Sequence, residues 1–199
     1  MPNSARPADR RIQRTRAALR SALLELLPER DWEALTVQDV CERANIGRST
    51  FYLHFRNKEE LLAGSLDDLR QALQGGGTVA EAGRHPAGLR FLPGLLEHIQ
   101  QQRRLCRAVF GRRSGHVVQQ QFRDMLIRLV RDDLVAEAAG PRADADWQQE
   151  AAVRFLAGAL VEYLAWWVDA RTLRPLDQTL DCLRALCAAV IAGVSPRPR

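Results

Sequence analysis

Apolar residues recur every three or four positions along most of the chain, which is the spacing that buries one side of an α-helix. The first such segment begins after Pro7 and ends near Pro28, with its arginines on the side opposite to its leucines. No segment shows the strict alternation of apolar and polar residues that indicates a half-buried strand. The apolar positions of this first helix are Ile12, Leu19, Leu23, Leu26 and Leu27.

Two short helices are predicted next, separated by a tight turn at residues 45–47. The hydroxyl of Thr36 is placed to cap the first of them, and Asp39 three residues later completes a variant of the capping box. The second is predicted over Arg48 to Phe55. The inward positions of the first are Val37, Val40, Cys41 and Ala44.

A fourth helix and a long loop follow this helix pair. Asn57, with Glu60 three residues on, predicts a capped helix that begins at Lys58. The glycines and the proline between positions 75 and 88 form the one strong break in composition, and they predict a loop. Pro93 lies in the next apolar segment, where a proline either bends a helix or marks its start.

Helical spacing then continues through the remaining chain, so we predict an all-α fold of about nine helices. Gly158 lies between two alanines, where small side chains would let helices approach closely, although such residues are as often ordinary core. The main apolar stripes are Leu89, Leu92, Leu96 and Ile99; Val118, Phe122, Met125, Leu126 and Leu129; Trp147, Ala151, Phe155, Ala159, Tyr163 and Trp166; and Leu180, Leu183, Leu186, Cys187, Val190 and Ile191.

Two short helices joined by a three-residue turn have the geometry that places one helix in the major groove of DNA. Arginine pairs with guanine edges or phosphates, and hydroxyl and imidazole groups suit phosphate oxygens. A solvated helix surface would carry the same residue types, so this pattern alone favours the two interpretations equally. The side chains predicted to point away from Phe51 and Phe55 are Arg48, Ser49, Thr50, Tyr52, Leu53 and His54.

Residues 10 to 64 resemble the DNA-binding domain of the TetR family of bacterial transcriptional regulators. Three stretches match the family's signature in order and in spacing, namely Leu35 to Val40, Ala44 to Phe55 and Asn57 to Leu62. Because three linked segments match, the resemblance is specific. It implies a helix-turn-helix domain that binds operator DNA.

The resemblance also assigns roles to individual residues of this domain. It implies that Thr36 binds a phosphate at the start of the second helix and that Lys58 clamps the phosphate backbone from the fourth helix. Leu53 stands where the family often has a basic or aromatic residue, and in the groove it would touch a thymine methyl group. The full set implied to contact DNA is Thr36, Val37, Gly47, Arg48, Ser49, Thr50, Tyr52, Leu53, His54 and Lys58.

The rest of the chain resembles the family's C-terminal domain more loosely, chiefly at 105–126 and 166–168. In that family the last two helices pack against those of a second copy, and helices four to seven enclose a pocket for a small-molecule effector. We therefore expect a homodimer that forms through the last two helices. Aromatic and methionine stripes are more often plain core, but the candidates to line the pocket are Phe91, Leu95, Phe110, Phe122, Met125, Phe155, Tyr163 and Trp166.

Charge and composition narrow the function further. The formal net charge of +5 favours a polyanionic partner, and the first twenty residues hold six arginines against the single acid Asp9. The four cysteines and four histidines lack metal-binding or catalytic spacing, so we expect buried free thiols, no metal, no cofactor and no enzymatic activity. Without a signal-peptide pattern or an apolar stretch of about 20 residues, we expect a cytoplasmic protein and no membrane contact.

These expectations combine into one hypothesis. Residues 10–72 form a helix-turn-helix DNA-binding domain, and residues 73–199 form an effector-binding and dimerisation domain. The chain is then a sequence-specific regulator, a repressor released from a palindromic operator by a small molecule. The alternative is a coactivator of the same fold that acts through a protein partner.

Overall fold

The computed structural model describes residues 7–75, 89–111, 114–137, 146–170 and 174–194. Within these ranges the chain forms nine α-helices, a 3-10 turn at Trp32–Ala34 and no strand, which confirms the predicted all-α fold. The helices are α1 (Pro7–Leu26), α2 (Val37–Ala44), α3 (Arg48–Tyr52), α4 (Lys58–Gly75), α5 (Leu92–Gln101), α6 (Arg103–Phe110), α7 (Gly115–Glu137), α8 (Asp146–Asp169) and α9 (Leu176–Val194).

The first three helices and the start of α4 enclose one hydrophobic core, and we call this part of the molecule the head. Leu19 and Leu23 of α1 are fully buried, as their spacing predicts, whereas Ile12 is 41% exposed and lies outside the core. Trp32, in the 3-10 turn, is among the largest fully buried side chains. The buried head residues are Leu19, Ala22, Leu23, Leu26, Leu27, Trp32, Leu35, Val40, Cys41, Phe51, Phe55, Leu61, Leu62 and Val118.

A second hydrophobic core joins the end of α4 to helices α5 to α9, and we call this part the body. Helix α5 begins at Leu92 with Pro93 in its first turn, so the proline marks the start of the helix and does not bend it. The predicted loop residues 76–88 lie outside the described part of the chain. Buried body residues include Leu92, Leu95, Leu96, Ile99, Phe122, Met125, Leu126, Leu129, Leu156, Leu160, Leu164, Trp167, Leu183 and Cys187.

Helix α4 runs from one core into the other. Leu61 and Leu62, near its start, are buried in the head, and Leu73, near its end, is buried in the body. Leu66, between them, packs against both cores. The two cores are therefore joined by one continuous helix.

Helix α7 makes a second connection, because its first turns pack on the head. Val118 is buried in the head core, and the Gln121 side-chain amide donates to the Glu59 carbonyl at 3.2 Å. Gly115 has a φ of 71°, and a Cβ there would lie 3.2 Å from Cδ1 of Trp32. Glycine at this position allows both the left-handed backbone and the close approach of α7 to the 3-10 turn.

Helix α8 is apolar on two opposite sides. One side lies in the body core, while three residues of the predicted stripe face outward, with Trp147 69%, Phe155 63% and Trp166 60% exposed; Tyr163 of that stripe packs against the core. By length and composition alone the segment Trp147–Asp169 could also cross a membrane, although we expected no such segment. Core helices of soluble proteins meet the same criterion, and this helix packs against α7 and α9.

The carboxyl end of α8 is held by two arginines of α6. The Arg103 and Arg107 Nε groups both donate to the Val168 carbonyl, at 3.2 and 3.0 Å. Arg107 also donates to the Asp169 carbonyl at 3.3 Å, and Arg103 to that of Ala170. Cationic donors suit the carbonyl end of a helix, which carries partial negative charge. These contacts join α6 firmly to α8.

Candidate nucleic-acid interface

The turn between α2 and α3 has the predicted geometry. The Thr36 hydroxyl accepts from the Asp39 amide at 3.2 Å and the Asp39 carboxylate accepts from the Thr36 amide at 2.8 Å, which confirms the capping box. Asn45 adopts the left-handed conformation, at φ 53° and ψ 47°, which asparagine tolerates better than most residues. The Ile46 amide then donates to the Cys41 carbonyl at 2.9 Å. The chain therefore reverses between the two helices within three residues.

Helix α3 is shorter than predicted. It spans Arg48–Tyr52, whereas the sequence pattern extended it to Phe55. The Leu53 amide donates to the carbonyls of both Ser49 and Thr50, at 3.3 and 3.2 Å, so the last turn tightens and the helix ends.

Two aromatic side chains fix α3 to the head core. Phe51 and Phe55 are 0% and 3% exposed, and their ring centroids lie 5.9 Å apart. The guanidinium of Arg16, on α1, lies 5.3 Å from the Phe55 ring centroid. These contacts determine which side of α3 faces outward.

The outward side of α3 is polar, basic and accessible. Arg48 and Ser49 are exposed, Tyr52 is 51% exposed and Leu53 is 80% exposed. Within the described residues, the side chains of Arg48, Ser49 and Tyr52 form no hydrogen bond or ion pair. Their donors are thus available to a partner. We define the reading face as Gly47, Arg48, Ser49, Thr50, Tyr52, Leu53 and His54, of which Thr50 and His54 are half-buried.

The start of α2 offers main-chain donors to a phosphate. The Thr36 hydroxyl already donates to the Asp39 carboxylate at 2.7 Å, so its proton is engaged within the chain. The amides of Val37 and Gln38 open the helix and have no acceptor inside it. A phosphate here would therefore meet these two amides, and the contact expected from the Thr36 hydroxyl stays a prediction.

Lys58 forms internal contacts that the sequence did not predict. Its Nζ donates to the carbonyls of Trp32 at 2.6 Å and Leu35 at 2.8 Å, and it lies 4.6 Å from the Trp32 ring centroid. Two of its three N–H groups are thus used to hold α4 against the 3-10 turn. Its role as a phosphate clamp stays a prediction that rests on the third N–H.

We expect Asp39→Asn to lower the stability of the head by about 1 kcal/mol at neutral pH. Hydrogen bonds from the hydroxyl and amide of Thr36 hold the pKa of the Asp39 carboxyl below its ordinary value of 3.8. A lowered folded-state pKa gives stability that is complete above the unfolded-state pKa and is lost as the pH falls through the folded-state pKa. Thermal unfolding of both proteins should therefore show a difference at pH 7 that shrinks below pH 3.8. A difference independent of pH would contradict this assignment.

A cavity of about 730 Å³ lies between the head and the body. Residues of α1, α4, α5, α6 and α7 form most of its wall. This volume falls within the roughly 300–1,000 Å³ of small-molecule sites. Three of the residues predicted to line a pocket do line it, namely Leu95, Phe110 and Phe122.

The other candidate pocket residues lie elsewhere. Phe91 and Met125 are buried in the body core but do not line the cavity. Phe155, Tyr163 and Trp166 do not line this cavity, to which α8 contributes no residue, so their role in an effector pocket stays a prediction. An apolar stripe predicts that one side of a helix is buried, but it does not identify the core, ligand or second chain that packs against it.

Several cavity residues were missed at the sequence level. Arg20 and Leu24 of α1 line the cavity, yet no local pattern distinguishes them from other residues of that helix. His98 of α5 and Gln102, directly after α5, also line it, and their spacing of four residues in a mostly apolar segment was a usable signal.

The cysteines are free, and most are buried. Cys41, Cys106 and Cys187 are buried, whereas Cys182 is exposed, contrary to the expectation for that residue. Burial raises the pKa of Cys106, which lines the cavity, to about 12, so its thiol is neutral at pH 7. Among the described residues no group of His, Cys, Asp or Glu side chains could hold a metal ion.

A capped helix pair with an outward polar and basic face defines a helix-turn-helix DNA-binding domain. Comparison with known proteins agrees. The family model described as "Bacterial regulatory proteins, tetR family" matches residues 19–64. Over 55 residues the chain is 51% identical to the uncharacterized HTH-type transcriptional regulator YxbF of Bacillus subtilis (strain 168). Over 85 residues it is 31% identical to the HTH-type transcriptional regulator TcmR of Streptomyces glaucescens.

These sequence matches are partial, and the structural match is broader. They cover 27% and 43% of this chain, and the chain spans only 14% and 38% of the lengths of those two relatives. A TetR transcriptional regulator from Streptococcus agalactiae 2603V is similar with a TM-score of 0.63 and 29% identity, over 90% of this chain and 97% of that one. Residues 19–64 therefore carry the DNA-binding domain of the TetR family of bacterial transcriptional regulators, and the chain shares the fold of a solved TetR regulator.

Proposed function

We propose that this protein is a repressor that binds a palindromic operator as a homodimer and is released by a small-molecule effector. The observation that carries the proposal is the reading face, whose Arg48, Ser49 and Tyr52 side chains are exposed and have no hydrogen-bond partner within the described residues. Buried Phe51 and Phe55 support this by fixing the orientation of the face. Binding to chromosomal DNA would place the protein in the bacterial cytoplasm.

The division into two domains, at residues 10–72 and 73–199, belongs to this proposal. The separate hydrophobic cores of head and body support it. Val118 is an exception, since it belongs to the body by sequence but is buried in the head. We therefore propose two domains that share a packed boundary.

Dimerisation is proposed through α8 and α9. Trp147, Phe155 and Trp166 on α8 and Leu186 on α9 are large apolar side chains more than half exposed in the single chain. A Cβ added at Gly158 would meet nothing within 4 Å, so a second helix has room to approach there. A two-fold dimer would present two reading faces to half-sites about 34–36 Å apart, or a multiple of that, on a near-palindromic operator.

We propose that the effector releases the protein from DNA by shifting the equilibrium between two distances that separate the heads of the two subunits. α4 supports this role because it is buried at one end in the head and at the other in the body. A ligand shifts such an equilibrium only by its difference in affinity for the two states, typically about 1–3 kcal/mol. DNA must then weaken effector binding by the same factor.

The test of DNA recognition uses Arg48→Ala and Tyr52→Phe on an operator identified by mapping the genomic sites that the purified protein binds. We expect each lost base contact to weaken the free energy of operator binding by about 1–3 kcal/mol, with helicity and dimer mass unchanged. Arg128→Ala, a matched change of an exposed arginine on α7, should leave affinity unchanged. Equal affinity of the wild-type and Arg48→Ala proteins at fixed salt would show that the wrong face has been assigned.

A further inference from the structure

We propose that the cavity between head and body binds an uncharged, largely apolar organic molecule with one or two hydrogen-bonding groups, and that this molecule touches α1 of the head directly. The effect of that contact on DNA rests on the proposed function, whereas binding to the cavity does not. The proposal follows from the charge, burial and position of the lining residues.

The charged residues of the lining balance one another. Three arginines are matched by three carboxylates. Arg20 pairs with Asp68, and Arg43 pairs with Glu29 at 2.6 Å and with Glu25 at 3.5 Å. The carboxylates of these pairs are at least 40% exposed and lie at the solvent side, whereas the Arg20 and Arg43 side chains are 20% and 34% exposed. The lining therefore carries no net charge, which favours an uncharged ligand over an ion.

The inner wall of the cavity is apolar. Leu62, Leu95, Ile99 and Phe122 are each at most 6% exposed and line the cavity. Filling such a space with apolar groups is favourable by roughly 25 cal/mol per Å² of surface removed from water. The bulk of the ligand is therefore apolar.

One side chain of the wall supplies directional recognition. His98 lines the cavity, and its imidazole forms no hydrogen bond with another described residue. Burial lowers the pKa of His98, so at pH 7 the ring is neutral and offers one donor and one acceptor. Gln102, which lies directly after α5, also lines the cavity and adds an amide. Together they suit a hydroxyl, carbonyl or N–H group of the ligand.

Helix α1 lines the cavity and is also part of the head, so a bound molecule would contact the head directly. Arg20, Ser21 and Leu24 line the cavity, while Leu19 and Leu23 on the same helix are buried in the head core. A Cβ on Gly64 would lie 3.1 Å from the Arg20 guanidinium, so Arg20 rests against the backbone of α4. A molecule that occupies the space beside this contact would push α1 and α4 apart and tilt the head.

N-phenyl-1-naphthylamine is a suitable probe, because it is neutral, mostly aromatic and carries one N–H donor. Its fluorescence should rise and saturate on titration into the full-length protein. Val109→Trp and Leu69→Trp each add bulk to a half-buried cavity wall and should weaken binding by at least about tenfold. His98→Leu removes the acceptor at similar volume and should weaken it by about three- to tenfold.

Ile12→Ser is the control, since it removes an exposed apolar side chain that lies outside the cavity wall. It should leave the titration unchanged. Thermal unfolding of every variant identifies any that fails to fold, and the two tryptophan variants enter the cavity from different helices. Probe binding that survives both tryptophan variants, or that Ile12→Ser abolishes, would overturn the proposal.

A second measurement separates this inference from the proposed function. Operator binding by the probe-free protein tests DNA recognition alone. If the probe touches α1, its affinity for the operator complex should differ from its affinity for the free protein, and Val109→Trp should remove its effect on DNA. Saturable probe binding with equal affinity in both states would refute the direct contact with the head and leave DNA recognition intact.

Discussion

Phe155→Glu combined with Trp166→Glu is expected to convert the proposed dimer into monomers. Phe155 is 63% exposed and Trp166 is 60% exposed in the single chain, and both lie on the same side of α8. A buried aromatic side chain removes about 150–250 Å² from water, and a two-fold axis places each substitution in the interface twice. Buried carboxylates without partners add a desolvation penalty, so the dimer Kd should rise by at least about 1,000-fold, or about 4 kcal/mol.

Sedimentation equilibrium at micromolar concentration measures this change. Ile12→Glu is the control, because it places the same charge on another exposed apolar residue, 41% exposed on α1. That variant should keep the dimer mass. Operator affinity of the double variant should fall with dimerisation, since a single head holds only one half-site. A wild-type mass of one chain together with tight specific binding would refute the dimer.

Lys58→Met is expected to destabilise the protein by at least about 3 kcal/mol, because two hydrogen bonds from a charged donor contribute about 1.5–3 kcal/mol each and a cation–π contact adds to them. The substitution leaves the carbonyls of Trp32 and Leu35 without their donor and removes the ammonium beside the Trp32 ring. The melting temperature should fall by roughly 5–15 °C. The control is Arg128→Met, which removes an exposed cation from α7.

The same variant decides whether Lys58 also contacts DNA. If its third N–H reaches a phosphate, the slope of log affinity against log salt should decrease by about one per head in Lys58→Met. This is measured at a temperature where the variant is fully folded. An unchanged melting temperature with a reduced slope would mean that the lysine acts on DNA alone, and that its internal contacts contribute little.

Local signals in the sequence predicted the head well. The capping residues Thr36 and Asp39, and Asn57 with Glu60, lie within three positions of each other, so the sequence itself specifies their contacts. The Glu60 carboxylate accepts from the Arg56 amide, a detail that the spacing did not specify. The end of α3 was misjudged because a tightened last turn depends on backbone geometry, which residue types do not report.

Features that depend on tertiary packing were not predictable in the same way. α8 is apolar on both sides, so periodicity alone could not tell the side in the core from the side that is exposed. Lys58 bonds to carbonyls more than twenty positions earlier, and no sequence spacing encodes that contact. The cavity wall combines residues from α1 with residues of the body, whose proximity follows only from the complete fold.

The arginines that join α6 to α8 have a consequence for how two copies would respond together. Val109 and Phe110 of α6 line the cavity, and Arg103 and Arg107 of the same helix hold the end of α8. A ligand that moves α6 therefore also pulls on the helix that is proposed to meet the second copy. Occupancy of one subunit would then alter the affinity of the other, and ligand titrations of the dimer would show a Hill coefficient different from one.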